Sequence, residues 1–222
     1  MRTKLTLVIS LAVTILLISS GIIYAQDIKP IKLLEAQTQG GKPLMQALKD
    51  RKSTREFSPK ELPLQVISDM LWAACGINRP DSGHRTAPTA MNMQEIDIYV
   101  SKSDGLYLFD AKTNILAPVV AEDLRSLTGK QPFVKDAPIN LIYVADLSKM
   151  SKLSIGDADF YAATDTGFIS ENVYLFCASG GLATVVRGLI DRPVLAKAMK
   201  LRLDQKIILA QTVGYPADYA GK

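Results

Sequence analysis

The sequence predicts an α+β fold, in which helices and strands of one domain do not alternate regularly. Three observations carry this. Apolar residues recur at helical spacing over 64–75 and again over the longer span 157–179. Between those spans, two strand-like runs, 95–100 and 106–109, flank an Asp104-Gly105 turn signal and read as a hairpin. Later strands must join by crossover, so the order fits a central mixed sheet flanked by helices rather than a doubly wound one.

Each element has its own local reason. Residues 26–42 are polar and broken by Pro30, Gly40 and Gly41, the pattern of a linker or arm. Pro43 suits the first position of a helix over 43–49. Pro63 starts and Gly76 stops the next helix, with Leu64, Ile67, Leu71 and Ala74 on one face. Ile96, Ile98 and Val100 alternate with Asp97 and Tyr99, as a half-buried strand does. The apolar run within 137–144 reads as a central strand. In 157–179, Phe160, Ala163, Gly167, Ile169, Val173, Phe176 and Cys177 keep an apolar face, enough for a central buried helix. Gly180 and Gly181 end it. A strand over 182–186, a helix over 193–200 and a last strand over 206–213 follow. No internal repeat or low-complexity tract is present.

The chain has 222 residues, 48% of them hydrophobic, which suits one domain with a substantial core. Residues 1–25 stand apart. Arg2 and Lys4 precede an almost unbroken Leu, Val, Ile and Ala run, and Ile23-Tyr24-Ala25 closes it. This is the layout of a secretory signal peptide cut after Ala25, leaving residues 43–222 as the folded domain behind its arm. The competing reading is an uncleaved membrane anchor, for which the segment is long enough. Both place the domain outside the cytoplasm, in the periplasm or beyond.

Removing Arg2 and Lys4 lowers the formal net charge from +4 to about +2. That balance, with no long basic run, argues against a nucleic-acid partner. Cys75 and Cys177 are the only cysteines and His84 the only histidine. An exported chain could pair the two cysteines, although both sit in apolar helical contexts that suit buried small hydrophobes. A zinc site has no ligand set, and no Gly-x-Ser-x-Gly elbow supports a hydrolase triad.

Three segments could carry chemistry. Residues 51–57, Arg-Lys-Ser-Thr-Arg-Glu-Phe, place three cations and two hydroxyls just past a helix. Arg forks and hydroxyl groups suit a phosphate, while cations at a helix C-terminus also complement its dipole. Residues 88–94, Pro-Thr-Ala-Met-Asn-Met-Gln, offer small residues and two amides, whose mixed polarity suits the edge of a flat heterocycle. The alternative is a turn leading into a strand. Residues 180–188 carry neither a Gly-x-Gly-x-x-Gly nor a Walker pattern. They can offer backbone N–H groups near Arg187 and Gly188, with Arg187 otherwise a solvated charge.

In this order, these segments resemble the nitroreductase-fold family of FMN flavoenzymes, from about residue 43 to 216. The nearest likeness is to its azoline-dehydrogenase-like (SagB/ThcOx) branch. Leu71-Trp72-Ala73-Ala74-Cys75-Gly76, Arg85-Thr86-Ala87, Asp104-Gly105-Leu106-Tyr107, Gly181-Leu182-Ala183-Thr184 and Val213-Gly214-Tyr215-Pro216 support it. The resemblance implies a homodimeric oxidoreductase with FMN at the subunit interface and a small organic substrate of nitro, quinone or azoline type. It implies that Arg51, Lys52, Ser53 and Arg55 hold the phosphate. Pro88, Thr89, Ala90 and Asn92 would line the flavin from the partner subunit, backbone N–H groups at Arg187 and Gly188 would face its N5 edge, and Gln131 would touch the ring. Thr89 stands where the family has Ser, and the family's basic residue beyond Gly-Tyr-Pro has only Lys222 as a counterpart, so weaker FMN binding is expected. No side-chain acid or base is evident. A non-catalytic flavin-binding scaffold is the competing class.

Overall fold

The strand β7 (Ile139–Asp146) is buried along its whole length. In the computed structural model, which describes residues 28–218, β7 lies inside a seven-stranded sheet, paired with β4 on one side and β9 on the other. The segment read as a signal peptide, and Lys222, fall outside the described residues. In chain order the elements are β1 (Ile31–Lys32), α1 (Leu44–Asp50), α2 (Leu64–Cys75), β2 (Ile77–Arg79), β3 (His84–Arg85), β4 (Ile96–Lys102), β5 (Gly105–Asp110) and β6 (Ile115–Val120). After β7 come α3 (Ile155–Gly180), β8 (Ala183–Arg187), α4 (Arg192–Ala198) and β9 (Gln205–Gly214).

The sheet order is β1-β6-β5-β4-β7-β9-β8, with β2 and β3 a separate ribbon. The sheet expected to be mixed is antiparallel in every described ladder. Connections of hairpin type and long returns both allow this, because only a parallel pair demands a crossover in one sense.

Both faces of the sheet are covered. Ile139, Leu141 and Tyr143 of β7 pack with Leu71 of α2 and Val173 of α3. Ile142 and Val144 point the other way, against Leu195 of α4 and Met199. Tyr99 joins this second cluster at 5% exposure, although the alternation of β4 suggested a polar face there. A period-two pattern marks opposite faces but cannot tell that a short helix covers the second one.

Helix α2 spans the predicted residues, because Pro63 and Gly76 punctuate it on both sides. Ser154 caps α3, accepting from the Asp157 N–H at 3.1 Å, and Gly181 ends it at φ +69°, a left-handed turn that glycine adopts without steric cost. Helix α3 departs from the expected buried helix. Its buried face is Ala158, Ala162, Asp165, Ile169, Val173, Tyr174 and Cys177 among others. Phe160, Ala163, Gly167 and Phe168 form a second stripe that is exposed, Phe160 at 65% and Phe168 at 45%. Leu44, Met45 and Leu48 of α1 are exposed as well.

Three segments had no strand expected of them. The arm is docked, because β1 pairs with β6, Ile31 opposite Leu116. Strand β6 contains Pro118, opposite Tyr107 beside a register shift, and a proline there hides the strand pattern. His84 belongs to the β2–β3 ribbon, and its Nδ1 lies 2.6 Å from Ser82 Oγ. Cys75 and Cys177 are both free and buried.

Leu71 is fully buried between α2 and the sheet. Leu71→Ala should cost about 2–5 kcal/mol of stability. A denaturant midpoint that shifts with an unchanged slope would report that loss.

Candidate functional site

The basic turn after α1 runs along the free edge of β8. The Thr54 N–H donates to the Thr184 carbonyl at 2.9 Å, so the turn acts as a partial extra strand. Below it stands Tyr174 of α3. Its hydroxyl accepts from the Val186 N–H at 2.9 Å and lies 2.8 Å from Ser53 Oγ. The Arg51 guanidinium sits 5.2 Å from the centre of the Tyr174 ring, a cation–π contact. Tyr174 therefore anchors both the phosphate-type side chains and the strand edge.

An open cleft of about 610 Å³ adjoins this turn, lined by Lys52, Thr54, Tyr174, Leu182 and Thr184. That volume falls in the range of ligand pockets, ~300–1,000 Å³. Lys52 and Arg55 are exposed. Among the described residues, neither they nor Arg51 enter an ion pair. The nearby Asp50 is occupied by Lys42 at 2.7 Å, and that hydrogen bond holds its carboxyl below the usual range. Glu56 and Asp218 also line the cleft, but neither forms an ion pair with these cations among the described residues, which leaves the cations as a donor set for a phosphate.

The 88–94 loop lies elsewhere. Met91, Asn92 and Gln94 all have positive φ, of 50°, 54° and 50°. Such conformations in residues other than glycine need support from the surroundings. Asp165 of α3 accepts from the Ala90 N–H at 2.8 Å. Thr89 Oγ1 donates to Glu95 Oε2 at 3.0 Å and accepts from the Gln94 N–H at 3.1 Å. The Thr89 hydroxyl is thus turned inward. So is Gln94, whose Oε1 accepts from Arg85 at 2.8 Å and whose amide donates to Gly83 and Asn92. Pro88, Met91 and Asn92 face outward.

At the end of β8, Arg187 is not the solvated charge that its loop position suggested. It is 5% exposed. Its guanidinium donates to Thr212 Oγ1 at 2.9 Å, Asn140 Oδ1 at 2.6 Å, and both the carbonyl and hydroxyl of Thr128. Burial without an acid partner pulls its pKa down to about 10, so it stays charged at neutral pH. The network ties the 125–134 segment to the sheet. Gln131 belongs to that segment, and its Oε1 is buried with no hydrogen-bond partner among the described residues. A Cβ on Gly129 would collide with both Arg187 and Gln131, which explains a residue without a side chain there. Along β8, the Thr184 carbonyl and Val186 N–H point outward. Strand alternation then turns the Arg187 N–H toward β9 and makes Gly188 the next outward group.

The predicted residues thus fall into two half-sites. Arg51, Lys52, Ser53, Arg55 and Gly188 share the β8 edge with Tyr174. Pro88, Thr89, Ala90 and Asn92 gather at Asp165. Nine positions separate Asp165 from Tyr174, about 14 Å and two and a half turns of α3, on opposite borders of its buried face. Sequence reasoning missed Tyr174, Glu95 and Asp165. Tyr174 sits among apolar neighbours, and the two acids are far apart in the chain, so neither left a local signal.

Tyr174→Phe should leave the half-buried Val186 N–H without its acceptor. The expected cost is about 1–3 kcal/mol, read as a lowered unfolding midpoint with faster amide exchange at Val186.

Comparison with known proteins agrees with this architecture. The nitroreductase family pattern matches residues 48–215. A nitroreductase homologue of Methanocaldococcus jannaschii is 31% identical over 163 residues, covering 68% of this chain and 81% of that protein. A crystal structure of a nitroreductase homologue from Ralstonia eutropha JMP134 superposes with a TM-score of 0.83 at 43% identity, covering 86% of this chain and 91% of the other. The fold of the NADPH:FMN oxidoreductase of Vibrio harveyi, solved with NAD+, is also similar, with a TM-score of 0.59 at 16% identity over 78% and 68% of the two chains. A family match across most of the domain and close likeness over its whole length place this chain in the nitroreductase family.

Proposed function

We propose that the chain is an FMN-dependent oxidoreductase acting as a homodimer, each flavin held between the basic turn of one subunit and the 88–94 loop of the other. The observation that carries this is the exposed apolar stripe of α3, with Phe160 and Phe168, flanked by the exposed Leu44, Met45 and Leu48 of α1. A surface of that kind calls for a cover. A second copy docked there brings its own outward Pro88, Met91 and Asn92 into play. The small Ala163 and Gly167 in the stripe allow close approach, and nothing lies within 4 Å of a Cβ on Gly167. FMN as the cofactor is supported by the unpaired cations beside the cleft, by family membership and by the NADPH:FMN oxidoreductase of Vibrio harveyi, which shares the fold.

Bound FMN would supply the two-electron chemistry. The chain's own residues bind and orient it. Arg51 and Lys52 meet the phosphate charge, with Ser53 and Arg55 beside them. Gly188 offers a backbone donor at the β8 edge, and Asn92 an amide to the flavin edge. Substrates of nitro, quinone or azoline type would stack on the open face, the last in keeping with the azoline-dehydrogenase-like likeness. Residues 1–25 have the layout of an export signal, which makes a periplasmic or secreted enzyme part of the proposal. Such an enzyme would draw on a reductant other than cytoplasmic nicotinamide, or oxidise its substrate.

Purified protein should show flavin absorbance bands, and turnover with a reductant and an acceptor separates an enzyme from a flavin-binding scaffold. Absence of FMN uptake by the dimer would sink the reading. Arg51→Ala should weaken FMN by roughly tenfold to a hundredfold, corresponding to about 1.5–3 kcal/mol for a charge-assisted contact. A mixed dimer tests the geometry. With Arg51→Ala in one subunit and Asn92→Ala in the other, shared sites would place both defects in one site and leave the second intact. Half the sites should then titrate with wild-type affinity, whereas separate sites would leave every one defective. Export predicts a mature N-terminus at Gln26, which mass spectrometry of protein from its native host would check.

A further inference from the structure

Two acids are buried together behind the 88–94 loop. Glu95 is fully buried and Asp165 is 2% exposed. Both hold the start of the loop. Glu95 Oε2 accepts from Thr89 Oγ1 at 3.0 Å, and Asp165 Oδ2 accepts from the Ala90 N–H at 2.8 Å. The other Glu95 oxygen, Oε1, is buried with no hydrogen-bond donor among the described residues.

The surrounding charges do not neutralise the pair. Arg85, from β3, spends its guanidinium on the Gln94 side chain at 2.8 Å and the Cys75 carbonyl at 2.9 Å. Lys149, from the turn after β7, donates to Asp97 at 2.9 Å and to the Gln94 carbonyl at 3.2 Å. The Cys75 thiol of α2 lines the same pocket, and burial pushes its pKa up, so it stays neutral and adds no charge. Neither acid enters an ion pair among the described residues, so burial beside Asp165 makes ionising Glu95 costly.

We propose that Glu95 and Asp165 share one proton, and that this proton fixes the 88–94 loop in its strained shape, making both acids positioning residues for the flavin. A proton on Glu95 Oε1 turns the orphaned oxygen into a donor to Asp165 and leaves Oε2 to receive Thr89. Burial, and then the Asp165 charge, push the Glu95 carboxyl above its ordinary value. The folded state therefore holds this proton more tightly than the unfolded chain. Its contribution to stability is present at low pH and is lost as pH rises from the ordinary Glu range through the raised value. The loop part of the proposal needs no cofactor, and the flavin part rests on the shared-site reading above.

Glu95→Gln is the discriminating variant, because its amide is a permanent donor to Asp165 and its carbonyl still receives Thr89. Thermal midpoints of the cofactor-free protein, from about pH 5 to about pH 9, should fall with pH in the wild type more than in Glu95→Gln. Infrared spectra of the wild type should hold a protonated-carboxyl band above the pH at which ordinary carboxyls ionise. The amide protection factor of Ala90 should drop as that band disappears. FMN affinity of the wild type should fall by roughly tenfold over the same interval, and the Glu95→Gln profile should stay flat. Parallel midpoint profiles, or no such band in the wild type, would overturn the shared proton. If Glu95→Gln does not fold, the wild-type band alone decides it. Unchanged Ala90 protection would overturn the hold on the loop. Wild-type protein that takes no FMN at any pH refutes the shared-site reading, while the band and Ala90 still judge the proton and the loop.

Discussion

Helix α3 is the constraint on which the rest of the structure depends. It must bury one face against the sheet, and that face carries Val173 and Cys177 at full burial. The same burial fixes Asp165 and Tyr174 on its two borders. One rigid helix thereby sets the distance between the loop anchored at Asp165 and the basic turn anchored at Tyr174. Neither segment has regular structure of its own to hold it. Each takes part of its position from one buried polar atom of α3, and the helix carries both atoms in fixed register.

The opposite face of the sheet shows a different solution to the same problem. There the 125–134 segment lacks strand or helix long enough to hold it, and the Arg187 guanidinium does so with four hydrogen bonds. A buried arginine without an acid is costly. Spreading its donors over Thr128, Asn140 and Thr212 offsets much of that cost, because each donor meets an acceptor. Asn140 is satisfied in turn, donating to the Val134 carbonyl at 2.7 Å.

How much of this was legible beforehand follows from which signals are local. Helix α2 could be read to the residue, because proline and glycine mark its ends. The β4–β5 hairpin was visible in Asp104-Gly105 and in alternation. Strand β6 was hidden by Pro118, and β1 is only two residues long, held by the sheet edge it meets. Of the site, the residue types in 51–55 and 88–92 pointed to phosphate and heterocycle. Their supports did not show, since an acid at 165 and a loop at 90 are joined only by folding. Arg187 was misread for a related reason. A charged residue after a strand is usually solvated, and only the Thr128 turn lying over it makes it buried. Helical periodicity located α3 but merged its two apolar sides into one, since a single sequence does not separate a core face from a face awaiting a cover.

That exposed face bears on whether the fold acts alone. The described chain leaves Phe160 and Phe168 open on one side of α3, and it leaves the phosphate-type and flavin-type residues apart on the other borders. These are two symptoms of one arrangement. Were the chain to bind its ligand alone, the loop would need to reach the β8 edge within one subunit, and its strained backbone would gain nothing from pointing Met91 outward at 69% exposure. A partner covering the stripe removes the apolar exposure and gives the outward loop something to touch. In the proposed homodimer the unused apolar surface and the divided site would have the same remedy, and the backbone strain at residues 91, 92 and 94 would find its use there.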